Sequence, residues 1–298
     1  MINKDTFSSY HPIINFTYFA FVLLFSMCFM NPACLTISLA CSLIYNYRLK
    51  ERKAVRFTFV YMLPLILITA IVNPAFTHQG FTILTYLPNG NPITLESIIY
   101  GFAAAFMLVS VLEWFSCYTE VMTSDKFVYL FGRLIPALSL VLSMTLRFVP
   151  KFSAQLELVN KAQKSIGRDT STGTLMQRLR NGITIISIMI TWALENAIET
   201  ADSMKSRGYG LPGRTAYSIY RFDDRDKGLL IWIILCGLYI CMGWKARAMY
   251  FIYYPCISGT SLTAFTFSFY LAYLLLCLTP VIVDALEDRT WKRLRSAI

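Results

Sequence analysis

Long apolar runs with few charged residues inside them set the pattern along this chain. A helix crosses the hydrocarbon core of a bilayer with about 20 apolar residues, so the runs predict an all-α polytopic membrane protein. We predict about six spans, at residues 13–30, 33–45, 57–72, 98–117, 229–244 and 262–283. Because the second run is short, we expect that helix to be tilted or to span incompletely.

Prolines mark the predicted ends of two spans. Asn31-Pro32 follows the first run and Asn73-Pro74 follows the third. Because proline disfavours the helical conformation of the residue before it, we expect the helices to stop at these pairs. Pro64 lies inside the third run and is expected to interrupt that helix.

The segment between the fourth and fifth spans is too long to be a structureless loop. Residues 127–149 within it are mostly apolar, but they contain Pro136 and two arginines, Arg133 and Arg147. They form either a seventh membrane-embedded helix or an amphipathic helix lying at the membrane surface. Charge topology does not decide between these alternatives, and we favour the interfacial helix.

Two further helices are predicted after Pro150. The first, at residues 151–166, has apolar residues at helical spacing, and Gly167 is placed to end it as a left-handed cap. After a turn-rich connector, a second helix runs from about residue 175 to 207 and stops at Gly208. The predicted regions are N-terminal spans at 1–117, a cytoplasmic or interfacial helical module at 118–228, and C-terminal spans with a basic tail at 229–298.

The charge distribution supports a membrane location and predicts a topology. Hydrophobic residues make up 56% of the chain and charged residues 15%, against about a quarter charged in soluble domains. Of the 27 lysines and arginines, only Lys245 and Arg247 lie in the connections predicted to face outward, which are 31–32, 73–97 and 245–261. Lysine and arginine concentrate in cytoplasmic loops, so both termini are predicted to be cytoplasmic in the cell membrane. The same bias explains the net charge of +10, and no nucleic-acid partner is expected.

The sequence argues against catalysis and metal binding. No P-loop motif, C-x-x-C pair or nucleophile–base set is present, and the two histidines flank different spans. We therefore expect no enzyme activity, no metal and no cofactor. Glu113 and Asp284, near the predicted cytoplasmic ends of spans, are expected to extend to the aqueous interface. Glu195 and Glu199 share one helix face, where they either pair with basic residues of the preceding helix or stay solvated.

The two predicted cytoplasmic helices end in similar sequences. The first ends in Lys164-Ser165-Ile166-Gly167 and the second, 41 residues on, in Lys205-Ser206-Arg207-Gly208. A helix C-terminus carries partial negative charge, which favours nearby cations. Arg207 can project from this end and bind a carboxylate through two hydrogen bonds. In the alternative, it and Lys205 only balance the helix dipole and stay solvated.

Three segments of the chain resemble one transporter family. Residues 201–209 (Ala-Asp-Ser-Met-Lys-Ser-Arg-Gly-Tyr) are similar to the second Ala-Arg-Gly signature of the transmembrane T component (EcfT/CbiQ-like) of energy-coupling factor (ECF) transporters, with serine in place of alanine. Residues 162–167 resemble the first signature, and Arg147-Phe148-Val149-Pro150 resembles the segment that leads into it. These transporters are ABC importers for vitamins and transition-metal ions, and the resemblance covers most of the chain.

The resemblance implies that the two helix ends dock into grooves on two ATPase subunits. The implied contact residues are Ser165, Ile166 and Gly167 at the first end, and Ser206, Arg207 and Gly208 at the second. The implied supporting residues are Arg147, Pro150, Lys164, Arg168 and Lys205. The family has arginine where this chain has Ile166, so the first contact is expected to be apolar unless Arg168, two residues on, takes its place.

A non-catalytic coupling scaffold is the function that the resemblance implies. Its expected partners are two ABC ATPase subunits, a separate substrate-binding membrane subunit (the S component) and membrane lipid. Two other functions stay open: a secondary transporter that binds its own substrate, which would need polar residues at mid-membrane, and a membrane enzyme acting on lipid. Because a different subunit binds the substrate in this family, the sequence identifies neither the substrate nor whether one scaffold serves several partners.

Overall fold

Helices make up most of the structure, as the sequence predicts. The computed structural model describes residues 5–77, 79–86, 92–132, 136–211 and 220–296. In chain order the helices are α1 (Pro12–Cys28), α2 (Pro32–Lys50), α3 (Arg52–Phe57), α4 (Leu63–Phe76), α5 (Leu95–Val121), α6 (Ser124–Gly132), α7 (Pro136–Ser165), α8 (Leu175–Ser206), α9 (Asp224–Lys245) and α10 (Ala264–Ser296). Two short antiparallel pairs join β1 (Ile83–Tyr86) to β2 (Pro92–Thr94) and β3 (Phe251–Ile252) to β4 (Ser258–Gly259). The predicted all-α class is confirmed.

The chain divides into two compact units. The first consists of Met1–Phe127 with Tyr220–Ile298, and it contains α1 to α5, α9 and α10. The second consists of Val128–Ile219 and contains α7 and α8 with the connector between them.

Five helical segments of the described chain are long and apolar enough to cross a bilayer: Arg52–Phe76, α5, α8, α9 and Ala264–Arg293. α1 is also apolar, but it has only 17 residues. α2 has 19 residues and is therefore longer than the run that predicted it. The chain is a multi-pass membrane protein, whereas the side on which each terminus lies stays a prediction. α8, which we predicted to be cytoplasmic, has a composition that also suits lipid.

Two prolines lie inside helices where the sequence predicts a stop. α7 continues through Pro150, and α4 continues through Pro74 to Phe76, so both predicted breaks are wrong. A proline removes one hydrogen bond from a helix, and the bonds on either side outweigh that loss here. At Pro74 the Ala70 carbonyl that loses its helical donor lies against Gly101 of α5, where an added Cβ would come within 3.0 Å of it.

Pro64 is accommodated by a change of helix type. A π-helical segment, Thr58–Met62, lies between α3 and α4. There the Leu63 N–H donates to the Thr58 carbonyl, five residues back, so one extra residue is taken up just before the proline, which has no N–H to donate. The predicted interruption is therefore local, and Arg52–Phe76 stays one continuous helical segment.

Aromatic side chains fill the core of the first unit, where α1, α2, α5, α9 and α10 pack together. Trp114 of α5 is fully buried, with the rings of Tyr18 and Phe19 edge-on to it at 6.1 and 6.5 Å. Its indole N–H donates to Ser38 Oγ at 3.0 Å, and Ser38 is also hydrogen-bonded to Ser26 at 2.8 Å. The rings contribute buried area, and the hydrogen bonds fix the orientation of the indole.

Both carboxylates of the spans are buried, so the prediction that they extend to the interface is wrong. Glu113 is 0% exposed and accepts hydrogen bonds from Asn46 Nδ2 and, at 2.8 Å, from Thr58 Oγ1. Asp284 accepts from the backbone N–H groups of residues 6 and 7 at 3.0 and 3.2 Å. Buried polar groups require such partners, and these partners lie far away in the sequence.

Candidate functional site

α7 and α8 form the unit that carries both predicted signature ends. Phe152 of α7 packs edge-on against Trp192 of α8, with ring centroids 5.3 Å apart. Lys151 Nζ lies 5.3 Å from the centre of the Trp192 ring and donates to Asn196 Oδ1 at 2.6 Å. These contacts join one face of each helix and leave the other faces uncovered by the described part of the unit.

α7 ends in a Schellman cap. The Gly167 N–H donates to the Lys164 carbonyl at 3.0 Å, and the Arg168 N–H donates to the Gln163 carbonyl at 2.9 Å. Gly167 has φ +79°, in the left-handed region that favours glycine, which confirms the predicted stop. Ile166 is at the capping position just before the glycine, and the residue is 69% exposed.

α8 ends in the same cap. The Gly208 N–H donates to the Lys205 carbonyl at 2.9 Å, and the Tyr209 N–H donates to the Met204 carbonyl at 3.0 Å. Gly208 has φ +75°, so the second predicted stop is confirmed as well. Arg207 is the capping residue, and it is exposed. The repeated Lys-Ser-X-Gly sequence is therefore a repeat of local structure, with a different side chain presented at X.

The serine of each repeat is used inside its own helix. Ser165 Oγ donates to the Lys161 carbonyl at 3.0 Å, and Ser206 Oγ donates to the Ser203 carbonyl at 2.9 Å. Hydrogen bonds of this kind satisfy the serine hydroxyls locally. Of the residues predicted to contact ATPases, the capping residues are thus the ones left to make side-chain contacts.

The exposed cations at the two ends differ in their pairing. Lys164 Nζ lies 3.8 Å from an Asp169 carboxylate oxygen. In the part of the chain that the structure describes, no acceptor or carboxylate lies against the side chains of Arg168, Lys205 or Arg207. A free guanidinium is able to bind a carboxylate through two parallel hydrogen bonds, so Arg207 can act as a charged anchor.

The connector between the two helices is fixed to the start of α8. The Ser171 hydroxyl and backbone N–H both donate to the Asp169 carboxylate, which lowers the pKa of that carboxyl. The Asp169 carbonyl accepts from Asn181 Nδ2 at 2.9 Å. Thr174 and Gln177 form a capping box at the N-terminus of α8. The prediction for this stretch is only a turn-rich connector, although the Thr-x-x-Gln spacing is a signal for such a helix start.

The two signature ends lie at opposite ends of α8. A helix of 32 residues is about 48 Å long; Ile166 precedes its first turn and Arg207 follows its last. The structure therefore keeps the two capping residues apart and does not bring the signature ends into one site. Arg147 and Pro150, predicted as supporting residues, lie at least 15 residues before the end of α7, about 22 Å along the helix, so neither reaches the capped end.

α8 exposes an apolar stripe over residues 179–194. Large side chains at helical spacing, each 55–66% exposed, form it: Leu179, Ile183, Ile186, Ile190 and Leu194. A groove of about 320 Å³ lies between α7 and α8 and is lined by residues that include Phe152, Leu156 and Met189. Exposed apolar surface of this extent is typical of a contact with another protein or with lipid.

Comparisons with known proteins agree with the resemblance found at the helix ends. The family model described as "CbiQ: Cobalt transport protein" matches residues 11–217. The protein of Exiguobacterium sibiricum named "Energy-coupling factor transporter transmembrane protein EcfT" is 35% identical over 34% of this chain and 39% of its own length. Proteins of the same name from Lactococcus lactis subsp. cremoris and Listeria innocua are 32% and 28% identical, over 35% and 58% of this chain and 40% and 69% of their own lengths. The chain thus spans about two fifths of the length of the first two relatives.

Proposed function

The chain belongs to the CbiQ family of cobalt transport proteins, and we propose that it is the non-catalytic transmembrane scaffold of an ECF-type ABC importer. In this role it couples ATP hydrolysis by two ATPase subunits to reorientation of a separate substrate-binding membrane subunit. That subunit binds the transported vitamin or transition-metal ion. Closure of the ATPases on ATP moves α7 and α8, and their movement reorients the substrate-binding subunit.

The pair of equivalent helix caps carries this proposal. Ile166 and Arg207 are held by the same hydrogen-bond pattern, are both exposed, and lie at opposite ends of a 32-residue helix. One protein groove would not reach both ends, whereas two ATPase subunits would each receive one. The side chains predict that the two grooves differ, with an apolar wall facing Ile166 and a carboxylate facing Arg207.

The apolar stripe of α8 supports the second part of the proposal. Five large apolar side chains exposed along one helix face would be unfavourable in water. A membrane-embedded substrate-binding subunit offers an apolar surface that would cover the stripe, and lipid would cover what remains. The sequence also contains no P-loop, so in the proposed importer ATP would be hydrolysed by other subunits.

Reconstitution into liposomes tests the proposed function. We expect the purified chain alone to show neither ATP hydrolysis nor uptake of a vitamin or metal ion. Addition of the two ATPase subunits and the substrate-binding subunit should give ATP-dependent uptake. Uptake by the chain alone, without ATPases, would contradict the proposal.

A secondary transporter is the second candidate, and one observation favours it. Glu113 is a fully buried carboxylate within a span, held by Asn46 and Thr58 beside the π-helical segment. Buried carboxylates in spans are often sites for protons or ions, and π-helical segments are frequent at functional sites. The same liposomes separate the candidates, because a secondary transporter would take up substrate without ATPases and would lose this uptake in Glu113→Gln.

A further inference from the structure

A cavity of about 350 Å³ lies in the first unit at the C-terminal end of α9, beside the turn between α1 and α2. Lys245 and Arg247 line it, together with Trp244, Tyr250 and Asn31. Apolar side chains from the end of α1 and from β3 line the rest, and no carboxylate is among the described residues around it. The cavity therefore combines two cations with aromatic and aliphatic surface.

Arg247 adopts a backbone conformation that glycine adopts at the ends of α7 and α8. α9 ends in the same cap, since the Arg247 N–H donates to the Trp244 carbonyl at 3.0 Å and the Ala248 N–H to the Gly243 carbonyl at 3.0 Å. Arg247 has φ +53°, in the left-handed region where a side chain strains the backbone. A strained arginine at the position where α7 and α8 have glycine points to a function for its guanidinium.

The guanidinium of Arg247 is positioned at the cavity. Its central carbon lies 5.4 Å from the centre of the Tyr250 ring. Neither Arg247 nor Lys245 has an ion-pair partner within the described residues. The negative end of the helix dipole favours cations here, and Lys245 in the last turn is one, but the dipole does not require an arginine at the position with φ +53°.

We propose that this cavity binds the phosphate group of an anionic phospholipid. α9 is apolar enough to span the bilayer, so its end lies at the depth of the lipid head groups. Trp244 and Tyr250 are exposed there, as aromatic residues commonly are at that depth. Lys245 and Arg247 are also the only cations in the connections predicted to face outward. Their placement runs against the usual charge bias, and a lipid phosphate at this depth would give both cations a partner.

Lipid titration of the purified full chain in detergent tests the proposal, with native mass spectrometry and the thermal unfolding midpoint as readouts. Phosphatidylglycerol should bind and raise the midpoint, whereas inorganic phosphate at the same concentration should not. Lys245→Ser and Arg247→Gly should each weaken phosphatidylglycerol binding about tenfold or more, because each removes a charge-assisted contact.

The thermal unfolding midpoint measured without lipid shows whether Arg247 binds lipid or stabilises the fold. Arg247→Gly should raise this midpoint, because glycine relieves the strained backbone. A loss of lipid binding in this variant would then not be caused by a loss of folding. Lys292→Ser, which removes an exposed cation from α10, should bind phosphatidylglycerol like the unaltered chain. Unchanged binding in the Lys245→Ser/Arg247→Gly double variant would overturn the proposal. If inorganic phosphate raised the unfolding midpoint as much as phosphatidylglycerol, the ligand would be a soluble anion and the proposal would be overturned. A lower unfolding midpoint of Arg247→Gly in the absence of lipid would also overturn it.

Discussion

At the scale of single residues, Ile166 and Arg207 hold equivalent positions and differ only in the side chain that they present. Both follow the last turn of a helix and precede a left-handed glycine. Both positions could be predicted from the sequence, because the end of a helix depends on a few neighbouring residues. The sequence did not show that the hydroxyls of Ser165 and Ser206 donate hydrogen bonds within their own helices. Because they do, the proposed ATPase contacts fall to the capping residues.

The effect of a charged substitution at Ile166 should depend on the ATPase groove that the residue contacts. Ile166→Asp should reduce co-purification of the ATPases, because a carboxylate placed against an apolar wall is left without a partner. Ile166→Val, which keeps an apolar side chain, is the matched control and should assemble normally. Ile166→Arg should be tolerated only if the groove keeps an acidic residue. Normal assembly and uptake of Ile166→Asp would show that this end makes no apolar contact.

The burial of Glu113 could not be predicted from the sequence. Its position near the end of an apolar run suggested an exposed carboxylate, but its partners Asn46 and Thr58 lie 67 and 55 residues away. Such pairings depend on which helices are neighbours, and the sequence pattern contains no signal for that. The carboxylate is buried because α2, α5 and the π-helical segment meet around it.

At the scale of elements, hydrophobic pattern and glycine placement predicted more than proline placement did. Gly167 and Gly208 end their helices as expected, whereas α7 continues through Pro150. A glycine in the left-handed conformation turns the chain so that its own N–H and the N–H of the next residue donate to the last free carbonyls of the helix. A proline only removes one bond, so its effect depends on the length and packing of the helix around it.

The cap of α8 can be tested with two glycines of the same segment. Gly208→Ala should destabilise the helix end by about 1 kcal/mol or more, because alanine is strained at φ +75° and its Cβ would meet Leu211 at 3.0 Å. Gly182→Ala, inside α8 with no atom within 4 Å of the added Cβ, should instead stabilise the helix by about 0.5–1 kcal/mol. Thermal unfolding of both variants measures the difference. Equal midpoints would show that the cap does not hold the end of α8.

At the scale of the whole molecule, the apolar runs predicted the multi-pass character of the chain. They did not separate spans from other apolar helices, since α8 is long and apolar enough to cross a bilayer yet belongs to the unit with the signature ends. The composition of a helix does not show whether it contacts lipid or an apolar protein surface, because the same apolar side chains pack against both.

Topology follows from the distribution of lysine and arginine and remains to be measured. Both termini and the signature ends should face the cytoplasm, and residues 73–97 should face outward. Cysteine-accessibility labelling on a cysteine-free background measures this, with Thr85→Cys in β1 as the outward probe and Lys53→Cys in α3 as the cytoplasmic control. Labelling of position 85 from the cytoplasmic side alone would reverse the predicted topology.

The proposed coupling through the end of α8 depends on the charge of Arg207. Co-purification of the ATPases and ATP-dependent uptake in liposomes should be compared for Arg207→Glu and Arg168→Glu, two exposed arginines whose side chains have no partner in the described chain. Arg207→Glu should lose both co-purification and uptake, because removing one partner of a buried charged contact already costs on the order of 2–5 kcal/mol. Arg168→Glu should lose far less of either. An Arg207→Glu variant that assembles and transports like the unaltered protein would contradict the coupling role and leave Arg207 as a solvated helix cap.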